Sequence, residues 1–299
     1  EEPDSVLLSL GSLESLIGKT VLVFDMGGGT LDITIRSVDE RDGRPYLELL
    51  AIEGSNIAGR HLTQAVADHL FDLARENGLM PKDTSNDDLQ ALTRLNFSSI
   101  DLAKKTVSGL AFLTKSGDRR ILKQKEVVNF LPHRPGFDPF RVNLSVSDFN
   151  EILNDFIEES LDTAKKAVAS AGLLPGEIDA YYIVGGGSQI PGLSEALADL
   201  FGRNPESLIG DFGTIEPRLA VARGAAVWAL TRPAENDSDY PSTGPVLERK
   251  LPYAISQVVN SGEGTVPIFD EGTLLPAESA QRFYAPVGLG KITVKLVRG

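Results

Sequence analysis

The feature that most limits how this chain can fold is the stretch VLVFDMGGGTLDITIR, Val21 to Arg36. Two apolar, β-branched runs flank three consecutive glycines, and an aspartate stands on each side of them, Asp25 and Asp32. The pattern predicts two strands joined by a glycine turn. Such a turn points successive backbone N–H groups at one spot. Glycine lets a phosphate come close and tolerates the positive φ expected there. The turn residues Gly27, Gly28 and Gly29 are therefore candidate anion binders, and Thr30 adds a hydroxyl donor. Asp25, at the carboxyl end of a buried strand, is placed to hold a magnesium ion through water. The plain alternative is a hairpin whose glycines serve only the turn, but a bare hairpin needs neither acid.

The chain has 299 residues, enough for two or three domains. Acids outnumber bases, 42 against 29, for a formal charge of −13. Such a surface repels phosphate backbones and anionic lipid, which argues against nucleic acid and membrane partners but not against a small anion in a local site. There is no cysteine, hence no disulfide, thiolate nucleophile or cysteine zinc site. His61, His69 and His133 show no ligand spacing. No apolar run approaches the ~18 residues of a membrane helix, and no signal peptide is visible, so a cytoplasmic protein is expected. The sequence starts at Glu1 without methionine and reads as a piece of something longer.

Val21–Asp25, Thr30–Val38 and Tyr46–Glu53 predict an antiparallel meander. From Gly59 to Gly78 the pattern turns helical, with Leu62, Val66, Leu70 and Leu73 on one face. Thr84 to Leu113 predicts a longer helical region, interrupted near NFSS. Arg119–Leu122, Val127–Leu131 and Phe140–Val146 read as strands. A helix follows, capped by Ser147, with Phe149, Leu153, Phe156 and Leu161 on its apolar face and Gly172 at its stop. Ala180–Val184 predicts a buried strand, followed by helices over Leu193–Phe201 and from Pro217 to Leu230. RPAENDSDYPSTGP reads as a linker or surface loop, and the chain past Val246 is β-like to the end.

Three further stretches carry candidate chemistry. YYIVGGGSQIPG, Tyr181 to Gly192, puts a second glycine turn between a strand and a helix, a common nucleotide position that close packing explains equally well. In DLAKKTVS, residues Asp101, Lys104, Lys105 and Ser108 share one helix face, which alone reads as a solvated ion-pair face. IEPRLAVARGAAVWAL, Ile215 to Leu230, carries small residues suited to a helix packed closely on a sheet.

Together, in this order and spacing, these stretches resemble the second nucleotide-binding lobe of the DnaK-like (seventy-kilodalton heat-shock) chaperones, of the actin-like ATPase superfamily. FDMGGGTLDITI resembles the second phosphate motif and IVGGGSQIPGL the adenosine motif. EPRLAVARGAAVWA is similar to the final helix. NIAGRHLTQAVADHLF and IDLAKKTVS are similar to the stretches that enclose the adenosine. LPYAISQVV and LLPAESAQRFYAPV…KITVKLVRG resemble the first strands of the β-sandwich substrate domain. The resemblance implies an α/β actin-like (ribonuclease-H-like) lobe over 1–231, with an inserted helical subdomain over roughly 58–145. A linker over 232–250 and a partial all-β segment over 251–299 follow. It implies ATP or ADP with magnesium. Gly27 to Thr30 would grip the phosphates, and Asp25, Asp32 and Glu2 would face the metal and attacking water. Gly59, Lys104, Lys105, Ser108, Gly185 and Gly186 would hold the nucleotide.

The departures are specific. The family's stacking arginine is replaced by Gln189, the aspartate of the last motif by Arg218, and GGED by AGRH, Ala58 to His61. Gln189 and Arg218 are expected to rebuild the adenine wall. Glu248, Arg249 and Lys250 interrupt the linker's apolar run, which argues against stable docking. The β tail is expected to pack on the lobe, pair with a second chain or be poorly ordered. The first phosphate hairpin and catalytic lysine of the family would lie before Glu1, so this chain alone is not expected to turn over ATP. The resemblance implies a chaperone that couples nucleotide state to unfolded or extended polypeptide clients, with a J-domain co-chaperone and an exchange factor as further partners. A non-hydrolysing nucleotide-gated module and another actin-like protein, a sugar kinase or filament former, are the alternatives.

Overall fold

The structure is a computed structural model that describes residues 2–10, 13–115, 127–130, 141–203, 217–231, 245–248, 250–251, 254–259, 264–275, 277–279 and 295–298. The strand expected at Arg119–Leu122, residues 232–244 of RPAENDSDYPSTGP, and AQRFYAP lie outside these residues.

The meander is present and longer than expected. Strands β1 (Lys19–Met26), β2 (Leu31–Arg41) and β3 (Arg44–Ser55) pair antiparallel. Asp42 and Gly43, with φ of 53° and 70°, close the β2–β3 hairpin in the left-handed region that two-residue hairpin turns require. β4 (Val127–Phe130) pairs antiparallel with β5 (Val142–Ser145). β6 (Ala180–Val184) joins β1 in parallel, and β7 (Val246–Leu247) joins β3 in parallel, giving the sheet order β6-β1-β2-β3-β7.

Alternation along the strands sorts their side chains between two cores. Leu22, Phe24, Met26, Leu31, Ile33 and Ile35 face one core with helices α2 (Gly59–Glu76), α4 (Val146–Ser170) and α5 (Leu193–Phe201). Val21, Val23, Val38, Leu47, Tyr182 and Val184 face the other with α1 (Glu2–Ser9) and α6 (Ala220–Thr231). A Cβ on Gly224 of α6 would lie 1.5 Å from the Ser5 carbonyl oxygen, so these two helices pack backbone against backbone.

Helices α3 and α4 differ from the sequence reading. Helix α3 (Asn86–Lys115) runs unbroken through NFSS. Asn96 sits inside it because its side-chain amide donates to the Leu92 carbonyl at 2.8 Å. The cap of α4 is Ser145, not Ser147. The Ser145 hydroxyl accepts from the Asp148 N–H at 3.1 Å, and the Asp148 carboxylate accepts from the Ser145 N–H at 3.0 Å. This reciprocal box satisfies two backbone donors, which a cap at Ser147 would leave open. Burial works against the Asp148 carboxylate, yet these bonds and the nearby His69 hold its pKa below the ordinary value.

The linker also corrects the expectation: Glu248 and Lys250 do not prevent docking, they fasten it, while Arg249 lies outside the described residues. β7 adds to the edge of β3, and the Glu248 N–H donates to the Leu47 carbonyl at 3.0 Å. The Tyr46 hydroxyl donates to the Glu248 carboxylate, which Lys250 meets at 2.6 Å. Lys250 also donates to the Leu49 carbonyl at 3.1 Å. From beneath, the buried Arg36 pairs with the buried Asp4 of α1 and donates to the carbonyls of Leu47 and Glu248, each at 2.9 Å. Burial opposes the Glu248 charge, but hydrogen bonds from Lys250 and Tyr46 hold its pKa down. The bond to Glu248 in turn raises that of Tyr46. Beyond the linker, β8 (Ile255–Val259), β9 (Gly264–Phe269) and β10 (Leu296–Arg298) form an antiparallel sheet in the order β10-β8-β9.

Candidate functional site

The glycine turn between β1 and β2 is closed by the Gly27 N–H donating to the Thr30 carbonyl at 3.0 Å. It is seated on the start of α2, whose Gly59 and Arg60 N–H groups donate to the Gly27 and Gly28 carbonyls at 3.2 and 3.0 Å. None of the three glycines has a positive φ, contrary to expectation. A Cβ on Gly28 or Gly29 would meet nothing within 4 Å. Neither the backbone conformation nor the packing of the turn therefore demands glycine at these two exposed positions. Bare backbone facing open space is what a close-approaching ligand needs.

The second glycine turn divides its labour. Gly185, at φ +76°, lies so close to β1 that a Cβ would stand 2.3 Å from the Met26 carbonyl oxygen. A Cβ on Gly187 would lie 2.4 Å from that of Met26. Both glycines are packing requirements. Gly186 between them is exposed, with nothing within 4 Å of a Cβ. The Gly185 N–H donates to the Pro217 carbonyl at 3.4 Å, which brings the 3₁₀ turn Pro217–Leu219, and with it Arg218, beside this turn.

On α3, Asp101 pairs with Lys104 at 2.8 Å and with Lys105 at 2.7 Å. Burial disfavours the Asp101 carboxylate, but the two ammonium groups more than offset this and hold its pKa below the ordinary value. Lys104 also donates to the Gly59 carbonyl at 3.2 Å and to the Thr63 hydroxyl at 2.6 Å, locking α3 to the first turn of α2. Lys105 remains 70% exposed, so its charge is available to a ligand.

These elements enclose a cleft of about 810 Å³, within the size range of small-molecule sites. Of the candidate residues singled out in the sequence, it brings together Gly27, Gly28, Gly59, Asp101, Lys104, Lys105, Gly186 and Arg218. Gly29 and Thr30 sit on the exposed outer part of the turn, and Gly185 stands behind the second turn. Asp25 and Asp32 are directly opposed on β1 and β2, just below the turn. Asp25 is buried, and a Cβ on Gly185 would lie 2.8 Å from its carboxylate. Among the described residues no three histidine, cysteine or acidic side chains cluster as a metal site. Glu2 opens α1, Ser108 lies one turn beyond Lys104 and Lys105 on α3, and Gln189 ends the second glycine turn; their side chains are outside the described part.

The sequence reading missed Arg60, Thr63, Phe97, Ile190 and Pro191, all of which line the cleft. Phe97 was findable. It lies four residues before Asp101 and seven before Lys104, on the same helix face, once NFSS is read as helix.

A family model described as Hsp70 protein matches residues 1–283. The chain belongs to the Hsp70 family. Its mixed α/β architecture is consistent with the actin-like ATPase fold of that family, and membership carries a chaperone-type ATP-binding function. In this Hsp70-family chain the cleft is the one place among the described residues where both glycine turns and the α3 lysines meet.

Proposed function

We propose that the cleft binds an adenine nucleotide with magnesium, and that its occupancy is coupled through the docked linker to the binding of extended polypeptide by the β segment past Leu251. The phosphates lie against Gly27–Thr30 and the N-terminal turn of α2. The adenosine lies between the Lys104–Lys105 face of α3, with Ser108, and the Gly185–Gln189 turn. Asp25 and Asp32, with Glu2, hold the magnesium through its water shell, and the metal supplies charge neutralisation at the phosphates. A J-domain co-chaperone and an exchange factor act on the same cycle.

The observation that carries this reading is the pattern of glycines. Gly28, Gly29 and Gly186 border the cleft or its turn, yet a Cβ on each would meet only open space. The test follows from that. Alanine at a permissive glycine leaves folding intact or stabilises it by about 0.4–1 kcal/mol. Gly28→Ala and Gly186→Ala are therefore expected to keep or raise the urea midpoint while weakening ADP binding at least about tenfold, as measured by calorimetry. Unchanged affinity in both folded variants, or no binding of ADP by the parent chain, contradicts the proposal.

A further inference from the structure

The cleft is lined by four basic residues, Arg60, Lys104, Lys105 and Arg218. Their other engagements differ. Lys104 has an oxygen for each of its three ammonium protons: the Asp101 carboxylate at 2.8 Å, the Gly59 carbonyl at 3.2 Å and the Thr63 hydroxyl at 2.6 Å. Lys105 shares Asp101, at 2.7 Å. Arg218 is carried by the 3₁₀ turn fastened to the Gly185 N–H, beside the second glycine turn. The Arg60 side chain is exposed and has no partner among the described residues. Its backbone N–H donates to the Gly28 carbonyl at 3.0 Å, so this guanidinium is rooted on the first glycine turn.

The backbone around that turn keeps few donors for an anion. The N–H groups that open a helix ordinarily serve as its anion site. In α2 they are engaged: Gly59 and Arg60 donate to the Gly27 and Gly28 carbonyls, and His61 and Leu62 to the Ala58 carbonyl. The Gly27 N–H is closed on the Thr30 carbonyl. The donors left to a ligand on the turn are the amides of Gly28 and Gly29 and the Thr30 hydroxyl, and none of them carries a charge. A polyphosphate in a chain of net charge −13 binds more tightly with a cation at this end of the cleft, and Arg60 is the lining cation rooted there. A guanidinium meets phosphate oxygens with a two-point fork.

Resting on the nucleotide reading above, we propose that Arg60 is a specificity-determining residue that contacts the terminal phosphate of a nucleoside diphosphate, so that the cleft ranks ADP above AMP. AMP lacks the group this arginine holds, and comparing the two ligands isolates the contact from the rest of the site. The test is amide NMR titration of the full chain with magnesium and ADP or AMP, for the parent, Arg60→Ala, Arg60→Gln and Lys105→Ala. The Arg60 side chain leaves no partner stranded when it is removed, so both variants at this position keep the parent fold. The parent is expected to bind ADP more tightly than AMP. Both Arg60 variants are expected to weaken ADP by about tenfold or more, the loss of one charge-assisted hydrogen bond, and AMP by less than about threefold. Lys105→Ala removes an equal charge from α3 and is expected to shift the ADP-to-AMP affinity ratio by less than about threefold. Unchanged ADP affinity in both Arg60 variants overturns the inference. So do equal losses for ADP and AMP, a parent that binds ADP no more tightly than AMP, or a Lys105→Ala shift as large as that of Arg60→Ala, which marks a general charge effect. Each of these leaves the nucleotide reading standing. A parent that binds neither ligand overturns both.

Discussion

Changing Arg36 to methionine removes a side chain that joins α1, the sheet and the linker. Arg36 and Asp4 are 1% and 2% exposed, and the guanidinium also serves the Leu47 and Glu248 carbonyls. Deleting either partner leaves an uncompensated charge in the core, which costs about 3–5 kcal/mol. Replacing both with apolar residues removes the stranded charge, so the double variant Asp4→Ala with Arg36→Met recovers about 2 kcal/mol or more of the summed loss. The Leu47 carbonyl keeps the Glu248 N–H as a donor in either case. The Glu248 carbonyl loses a charge-assisted bond worth about 1.5–3 kcal/mol. Urea unfolding gives the global numbers. Hydrogen exchange at the Glu248 amide gives the local one, because loosening of β7 by that amount speeds exchange about 10- to 100-fold. Single variants that each lose less than about 1 kcal/mol, or losses that simply add in the double variant, refute the reasoning.

Gly224→Ala is expected to cost about 3 kcal/mol or more, because its Cβ would stand 1.5 Å from the Ser5 carbonyl oxygen; a parent-like melting temperature contradicts the close packing of α1 and α6. Asp101 has a folded-state pKa below the ordinary carboxyl value, so its stabilising contribution is complete above about pH 4 and fades as pH falls through the folded value. The urea midpoints of the parent and Asp101→Asn should differ near neutral pH and converge in acid, and a constant difference at every pH refutes the charge pairing. Tyr46 has a raised pKa, so the clasp on Glu248 is complete below about pH 10 and fades as pH rises through the higher folded value. Carbon NMR should show the Tyr46 ring titrating later than exposed tyrosines, and an ordinary titration removes the bond from the account.

The meander and the apolar faces of α2 and α4 were legible in the sequence because period 2 and period 3.6 are local signals. The cleft was legible only as separate pieces, joined by resemblance, since Lys104 and Gly59 are far apart in the chain and meet only when α3 packs on α2. One kind of error recurs. Local polarity misled at NFSS, where the Asn96 amide bonds back to Leu92 inside the helix. It misled again at the linker, where Glu248 and Lys250 were read as interruptions. Their partners, Tyr46 and Leu49, lie some two hundred residues away, beyond the reach of any local pattern. The role of the glycines was also hidden. Gly185 and Gly186 are adjacent and identical in sequence, yet one is fixed by contact with Met26 and the other faces open space.

The central claim is that one cleft holds the nucleotide. Amide NMR of the full chain titrated with magnesium and ADP tests it most directly. The account predicts saturable shifts at Gly27, Gly28, Gly59, Lys105, Gly186 and Gly187, with the amides of β9 unmoved unless β7 responds as well. Shifts that fail to saturate at millimolar ADP, or that map away from the two glycine turns, contradict it.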